Sequence, residues 1–483
     1  MKITFFCAFL CTLCFSLSAQ DETQTVFRQI NSDVLARSQA YRNLEHATAA
    51  IGHRLTGSVN GKKAEAYAFK LLESYGYEVR YQPFEVESWS RLTNETRVGD
   101  QPGSLNKITS VTLAHSPVSA NITAELVDLG NGLEDDYIKD AGRVRGKIAL
   151  VYLGLLPGSP SGSPSLHRSE KAALATRYGA AGIIIINTVR TGVLLTGTAS
   201  VTGKLIPIPA VCIGYENGMR LKEALKSHSQ YANLNMTNFS GAISARNVIA
   251  TLKGHELPAE KIVIGAHLDS WDLATGAIDN GIGAFAVIDM ARAIKQVGRQ
   301  PRRTIEFVLF MGEEQGLLGS KAYIQKAVSD QTLHQVRFML NFDMTNDPKG
   351  FVSTRREMEP LLSSWGAQIA KLDTGFKNIV VTAAGLHSDH QPFMLQGIPT
   401  GGGAGGRLPN NSAPFYHSDR DTFELVDEHE LKNTVRYGAM LAFALAHTDQ
   451  IPANKLDEAQ LASFLRLNEL EIPLRIAGEW RWK

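Results

Sequence analysis

The chain has 483 residues, 44% hydrophobic and 20% charged, a composition that excludes a disordered or fibrous protein and leaves room for two or three domains of roughly 100–200 residues each. Its 49 basic and 48 acidic residues give a formal net charge of +1. That balance offers no electrostatic footprint for nucleic acid or an anionic membrane, so neither is expected as a partner.

In chain order, Lys2 precedes an apolar run over residues 3–17 and the small residues Ser18 and Ala19. This order reads as a cleavable signal peptide over residues 1–19, and hence a secreted or periplasmic protein. The run is short of the ~20 residues of a membrane-spanning helix, and no later stretch is long and apolar enough to span. Cys7, Cys11 and Cys14 fall in that leader, so only Cys212 remains and no intrachain disulfide is expected. Cys212 lies in the apolar run 208–213 and reads as a buried small hydrophobe, not a nucleophile.

Helical patterning covers residues 31–50 and 62–75, and residues 77–86 alternate as an edge strand does. From about residue 120 to 225 the texture changes to short β-like runs at 146–151, 182–186 and 206–213, with a Gly/Ser/Pro loop at 158–165. This segment reads as an inserted domain over 118–240, expected to shade the cleft and to hold no catalytic residue. From about residue 247, strands at 262–266, 304–310 and 336–342 alternate with helices at 281–297 and 317–327. That order predicts an α/β fold with a mostly parallel central sheet flanked by helices. The catalytic domain is thus discontinuous, over 20–117 and 241–453. A tail over 454–483 contains a helix and ends in Trp480-Arg481-Trp482; it could pack on the body or on a second subunit, so a homodimer is possible.

Metal-capable residues recur just past the strand ends: His267 and Asp269, then Asp279, then Glu313 and Glu314, then Asp343, and far downstream His417. In an open α/β sheet the crevice outside the carboxyl ends of the strands binds ligands, so residues distant in sequence can meet there. Packing four carboxylates together without cations would cost several kcal/mol in repulsion and desolvation. A two-metal hydrolytic site removes that cost through one bridging carboxylate, with imidazole and further carboxylates on each ion; mixed ligands of this kind suit zinc. The Glu-Glu pair offers one carboxylate to a metal and one to take a proton from water. Taken singly, each residue has an ordinary reading as a polar cap, a turn aspartate or a solvent-facing glutamate. Their recurrence on successive strand ends is what points to a site.

The words His267-Leu268-Asp269-Ser270-Trp271, Gly276-Ala277-Ile278-Asp279-Asn280-Gly281, Gly312-Glu313-Glu314, Asn341-Phe342-Asp343, Ser388-Asp389-His390-Gln391-Pro392-Phe393 and Tyr416-His417-Ser418 resemble, in order and spacing, the co-catalytic two-zinc exopeptidases: bacterial aminopeptidases, glutamate carboxypeptidase and carboxypeptidase Q. The likeness spans residues 247–445, and residues 52–58 also look familiar. The insert looks like a protease-associated domain, and together with residues 267–272 it points most closely to the carboxypeptidase Q branch. The resemblance implies two zinc ions per chain, with Asp279 bridging, His267 and Asp343 on one ion, and Glu314 and His417 on the other. It implies Glu313 as general base beside a metal-bound hydroxide, with Asp269 orienting His267. It also implies a dipeptide or short peptide as substrate. Many members carry a second aspartate where this chain has Asn280, and others carry asparagine. Asp389 and His390 could support the structure or touch substrate. Gly401–Gly406 lacks the Lys-Ser/Thr of a phosphate loop and reads as a mobile loop near the site.

Other classes fit less well. There is no Gly-x-Ser-x-Gly elbow, and His255-Glu256 and His429-Glu430 both lack the second histidine of a single-zinc protease. A metal-free binding homologue would not need all five ligands and the base. Between an aminopeptidase and a carboxypeptidase the sequence leaves the choice open. A carboxylate anchor could come from Arg407, whose ordinary reading is a surface charge, or from the 401–406 backbone.

Overall fold

The computed structural model describes residues 22–139 and 141–483; the expected leader lies outside the described residues. The body is a mixed sheet whose inner strands are parallel and need apolar runs on both faces. Leu257–His267 lies at its centre, buried from residue 262 onward, with Arg303–Phe310 and Val336–Asn341 parallel to it on either side. Thr400–Ala404, Gly350–Ser353 and Ile379–Thr382 extend the sheet beyond Val336–Asn341, and Tyr231–Leu252 joins antiparallel beside Arg303–Phe310. Glu78–Gln101 pairs with Tyr231–Leu252 and forms that edge of the body, where alternation placed an edge strand.

Successive side chains of the central strand serve two cores, as the period of two requires. Ile262, Ile264 and Ala266 join one with Phe285, Phe307 and Leu340. Val263 faces the other, with Tyr323, Ile324 and Phe393. The helix Ile282–Val297 is buried at every residue from 282 to 294, packed between Ala40–Ala50 and Glu428–His447. Burying a side chain such as Phe285 contributes about 1.5–3 kcal/mol. Gly298, at φ 69°, ends that helix in the left-handed cap that favours glycine. Ser58 starts Val59–Ser74 by accepting the Gly61 N–H at 2.9 Å, and its loss would cost about 1 kcal/mol.

Three elements differ from the sequence pattern. The helical stretch 31–50 is two helices, 22–37 and Ala40–Ala50. Glu428–His447 was not singled out, because residues 434–446 are buried on every side and carry no amphipathic stripe. The glycine run expected as a mobile loop is a strand, Thr400–Ala404, pressed between neighbours. A Cβ at Gly401 would meet Val352 O at 2.4 Å, and one at Gly402 would meet Asn341 O at 2.5 Å. Glycine is what lets the backbones approach this closely.

The insert has its own parallel sheet, Ser119–Asp128, Ile148–Tyr152, Gly182–Ile186 and Ala210–Ile213, with Ser110–Thr112 antiparallel at its edge. The strand expected over 206–213 begins only at Ala210, since Pro207 and Pro209 have no N–H to donate. Helix Arg168–Arg177 covers one face, and Tyr215–Leu225 covers the other. The ribbon of Glu78–Gln101 and Tyr231–Leu252 pairs from Glu78 and Thr251 to Gly99 and Tyr231 and joins body to insert. In the tail, Leu461, Leu465, Leu470 and Leu474 pack on Met394 and Leu395 of the body, while Ile476 is buried in the insert's core. No described helix is long and apolar enough to cross a membrane.

Candidate metal centre

The strand ends place the expected ligands in one crevice. His267 is the last residue of the central strand, and Asp343 follows Val336–Asn341 by two residues. Glu313 and Glu314 follow Arg303–Phe310 across Gly312, which sits at φ 79°. Asp279 rides on a loop entered through Gly276 at φ 61°, where a Cβ would stand 2.2 Å from Ser270 Cβ. Two residues outside the ligand words hold this loop. The fully buried Arg54 donates from Nε to Leu268 O at 2.6 Å, from Nη1 to Thr275 O at 2.7 Å and from Nη2 to Gly276 O at 2.8 Å. Asp421 accepts the N–H of Ile278 at 2.7 Å and of Asp279 at 3.0 Å. Asn280 donates to Phe342 O at 3.0 Å and accepts from Met344 N–H at 3.0 Å. The asparagine thereby stitches the Asp279 loop to the Asp343 strand end.

Two groups of donors result, and Asp279 belongs to both: His267, Asp279 and Asp343, then Asp279, Glu314 and His417, the ligand atoms of each group within 4.8 Å of one another. His267 Nε2 lies 3.2 Å from Asp279 Oδ1 and 3.3 Å from Asp343 Oδ1. His417 Nε2 lies 2.9 Å from both Asp279 Oδ2 and Glu314 Oε2. The far nitrogen of each imidazole is also held. His267 Nδ1 is 3.1 Å from the Asp269 carbonyl and 3.6 Å from its carboxylate, while His417 Nδ1 is 3.3 Å from Thr196 O and 2.9 Å from Arg168 Nη2. Asp343 is steadied by Ser388 Oγ, which donates to its Oδ2 at 2.5 Å.

The electrostatics are those of carboxylates crowded out of water. Burial pushes Glu314 well above the usual carboxylate range, and neighbouring Asp279 pushes the same way. Burial, with Asp343 and Glu314, does the same to Glu313, which opens on the cavity but is otherwise surrounded by protein. Burial pulls His417 down to about 4, with Arg168 adding to the effect, so it is a neutral imidazole. Burial would also lower His267, but Asp343, Glu313, Asp269 and Asp279 outweigh it and raise that imidazole well above its ordinary value. Glu314 Oε1 and Asp269 Oδ2 have no hydrogen-bond partner. A donor set of two imidazoles and three carboxylates, with Glu314 Oε1 orphaned and, among the described residues, no lysine or arginine paired with its carboxylates, fits two divalent cations.

The groups open on a cavity of ≈580 Å³ lined by the body, by His167, Arg168 and Glu170 of the insert, and by Leu474, Ala477 and Glu479 of the tail. Residues 247–442 match peptidase family M28, and residues 122–221 match the PA domain. The body of this chain is a family M28 peptidase domain. The chain is 28% identical over 405 residues to aminopeptidase YwaD of Bacillus subtilis, covering 81% of each. It is 25% identical over 434 residues to human carboxypeptidase Q, covering 86% of this chain and 87% of the relative. A solved peptidase M28 precursor from Shewanella amazonensis shares the fold at a TM-score of 0.75 and 24% identity, covering 91% of this chain and all of that one.

Within this M28 body, Asp389 is fully buried and does not line the cavity, whereas His390 does. Arg407 is exposed and lies away from the cavity, so it is a surface charge; Gly401, Gly402 and Gly403 line it. Arg168, which the sequence pattern did not single out, lines the cavity where Arg407 does not. It is buried, its Nε has no hydrogen-bond partner, and Gly197 leaves the space it occupies, since a Cβ there would come within 2.0 Å of the guanidinium. One signal of it was available: His167 and Glu170 form a capping box around it at the start of Arg168–Arg177. Thr196, also from the insert, donates its N–H to His417 O at 2.9 Å and so grips that residue through both backbone groups.

Proposed function

We propose that the chain is a secreted or periplasmic two-zinc exopeptidase acting on dipeptides or very short peptides with a free C-terminal carboxylate. The carrying observation is the pair of donor groups joined through Asp279, beside Glu313, on a cavity whose wall presents the buried guanidinium of Arg168. His267 and Asp343 would hold one zinc, Glu314 and His417 the other, with Asp279 common to both donor groups. When bound, the two ions acidify the attacking water and polarise the scissile carbonyl.

The chain's own residues carry the rest. Glu313 takes a proton from water as its oxygen attacks the carbonyl carbon. It delivers that proton to the leaving nitrogen as the C–N bond breaks, giving one acid and one amine. Asp269 orients His267 and accepts the Glu313 N–H at 3.3 Å, which fixes the base relative to that ligand. Arg168, whose Nη2 already faces His417 Nδ1, receives the substrate carboxylate through its remaining N–H donors, the unpartnered Nε among them. Residues 118–240 act as a separately folded insert that completes the cavity; 20–117 and 241–453 form the body, and 454–483 the tail. A homodimer, measurable by sedimentation velocity, belongs to the same reading.

An aminopeptidase acting on longer peptides is the second reading. It is favoured by Glu170, whose carboxylate lines the cavity with its Oε1 3.4 Å from His387 Nε2, where an ammonium could sit. A metal-free binding homologue is a distant third. Elemental analysis disposes of it by finding about two zinc ions per chain. One dipeptide, assayed free, N-acetylated and C-amidated, separates the first two. Loss on amidation with survival of the acetylated form is the expected result, and Arg168→Met should then raise KM for the free form about 10–100-fold. Loss on acetylation alone establishes the aminopeptidase instead, and equal cleavage of all three rejects both.

A further inference from the structure

One wall of the cavity comes neither from the metal-ligand loops nor from the insert. Pro473, Leu474, Ala477 and Glu479 of the C-terminal segment line it together with the donor groups, next to the loop around Leu386 and His387. The segment is fastened on both sides of the cleft. Leu474 packs with Leu470 and Leu465 against Met394 and Leu395 of the body, and Ile476 is buried in the insert's core. The helix Glu471–Ile476 also packs on Arg168–Arg177, the helix that carries Arg168.

Glu479 ties the end of the segment down. One carboxylate oxygen is 2.7 Å from Lys321 Nζ, and the other accepts from Gln391 Nε2 at 2.7 Å. Gln391 Oε1 in turn accepts the N–H of His387 at 2.8 Å. The next residue, Ser388, donates to Asp343. A run of polar contacts therefore links the tail to a ligand loop and keeps the intervening cavity wall in place. The ion pair leaves no net charge at this end, where Leu386, Leu474 and Ala477 offer apolar surface. A cavity of ≈580 Å³ falls in the size range of small-molecule clefts.

We propose that residues 471–479 form the blind end of the substrate cavity, held shut by the Glu479–Lys321 pair, and so set the maximum length of peptide the site accepts. This rests on the exopeptidase reading. Without the segment the cleft would continue past the donor groups between body and insert, and a longer chain could lie through it.

The test reverses the pair in the full-length protein: Glu479→Lys, Lys321→Glu and the double reversal, each assayed for kcat/KM on an Ala-Leu dipeptide and on an alanine-rich hexapeptide. The pair is partly exposed, 28% at Lys321 and 21% at Glu479. Breaking it should therefore raise the hexapeptide-to-dipeptide ratio about two- to five-fold. The double reversal should bring the ratio back. A chain ending at Asn468 should raise it at least about ten-fold; if that chain does not fold, the charge reversals decide. Single reversals that melt like the wild type and leave the ratio unchanged overturn the proposal, as does a raised ratio that the double reversal fails to restore. A wild-type protein that cleaves neither peptide sinks the exopeptidase reading itself, whereas dipeptide cleavage with an unmoved ratio sinks only the blind-end proposal.

Discussion

Replacing Asp421 by asparagine removes one of the two acceptors beneath the loop that carries Asp279. The carboxylate holds Ile278 N–H at 2.7 Å and Asp279 N–H at 3.0 Å, both in buried surroundings. Asparagine keeps one oxygen, which should stay with the shorter bond, and turns an NH₂ toward the other N–H. The Asp279 amide is then left buried and unsatisfied, at a cost of about 1–3 kcal/mol. That cost falls on the loop that positions a ligand common to both donor groups. Zinc affinity should drop about 10–100-fold at both positions, as is typical when a partner behind a ligand is lost. Titration of the zinc-free protein against a chelating chromophore measures it. Ser388→Ala, which loses the bond to Asp343 and the one from Asn341 Nδ2 but touches no other expected ligand, is the control and should weaken one zinc equivalent only. If Asp421→Asn binds both equivalents like the wild type, the assignment of Asp279 as the shared ligand is wrong.

Other outcomes follow from the same geometry. Glu313→Gln should lower kcat about 10²–10⁴-fold while both zinc ions stay bound, checked by turnover and elemental analysis on one sample. Gly197→Ala places a Cβ within 2.0 Å of the Arg168 guanidinium at a backbone φ of +131°. It should lower kcat/KM about ten-fold for a free dipeptide while elemental analysis still finds the zinc content of the wild type. His115 is fully buried against Thr198, where body and insert meet, and burial holds its imidazole down at about 4. The unfolded chain binds a proton as pH falls through about 6.5, whereas the folded one does not until about 4. Stability should therefore decline across that window by roughly 3 kcal/mol. Urea melts at a series of pH values should show a slope that His115→Asn flattens; parallel slopes would contradict it.

The parts of the site that lie on strand ends were legible because a strand's direction and the crevice rule bring distant residues together. His267, Glu314 and Asp343 follow strand ends, whereas Asp279 and His417 lie on loops and were named as ligands through the family resemblance. What surrounds them was not legible, for a physical reason: it consists of hydrogen bonds to backbone groups, which leave no residue pattern. Arg54 acts on three carbonyls, Asp421 on two amides and Thr196 through its own backbone. Arg168 was hidden because the side of the insert that meets the cleft cannot be read from its strand pattern. The Thr400–Ala404 strand was misread because glycine's flexibility suggested a loop, whereas its missing side chain is what admits a close neighbour. The parallel sheet itself was legible from strands such as 304–310, buried throughout.

The ribbon of Glu78–Gln101 and Tyr231–Leu252 has a consequence for the order of folding. Glu78 and Thr251 pair across a separation of about 170 residues, and Gly99 and Tyr231 across about 130, so closing either contact from an open chain is slow. The sheet and helices of the insert lie between these strands in sequence. Once they fold, the far ends of the ribbon are side by side, and the remaining pairs can close one after another toward the body like a zip. The Tyr231–Leu252 strand delivered this way is the one on which Arg303–Phe310 must then align. In a chain threaded out of a cell from its N-terminus, the insert would thus act as the jig on which the catalytic sheet is assembled.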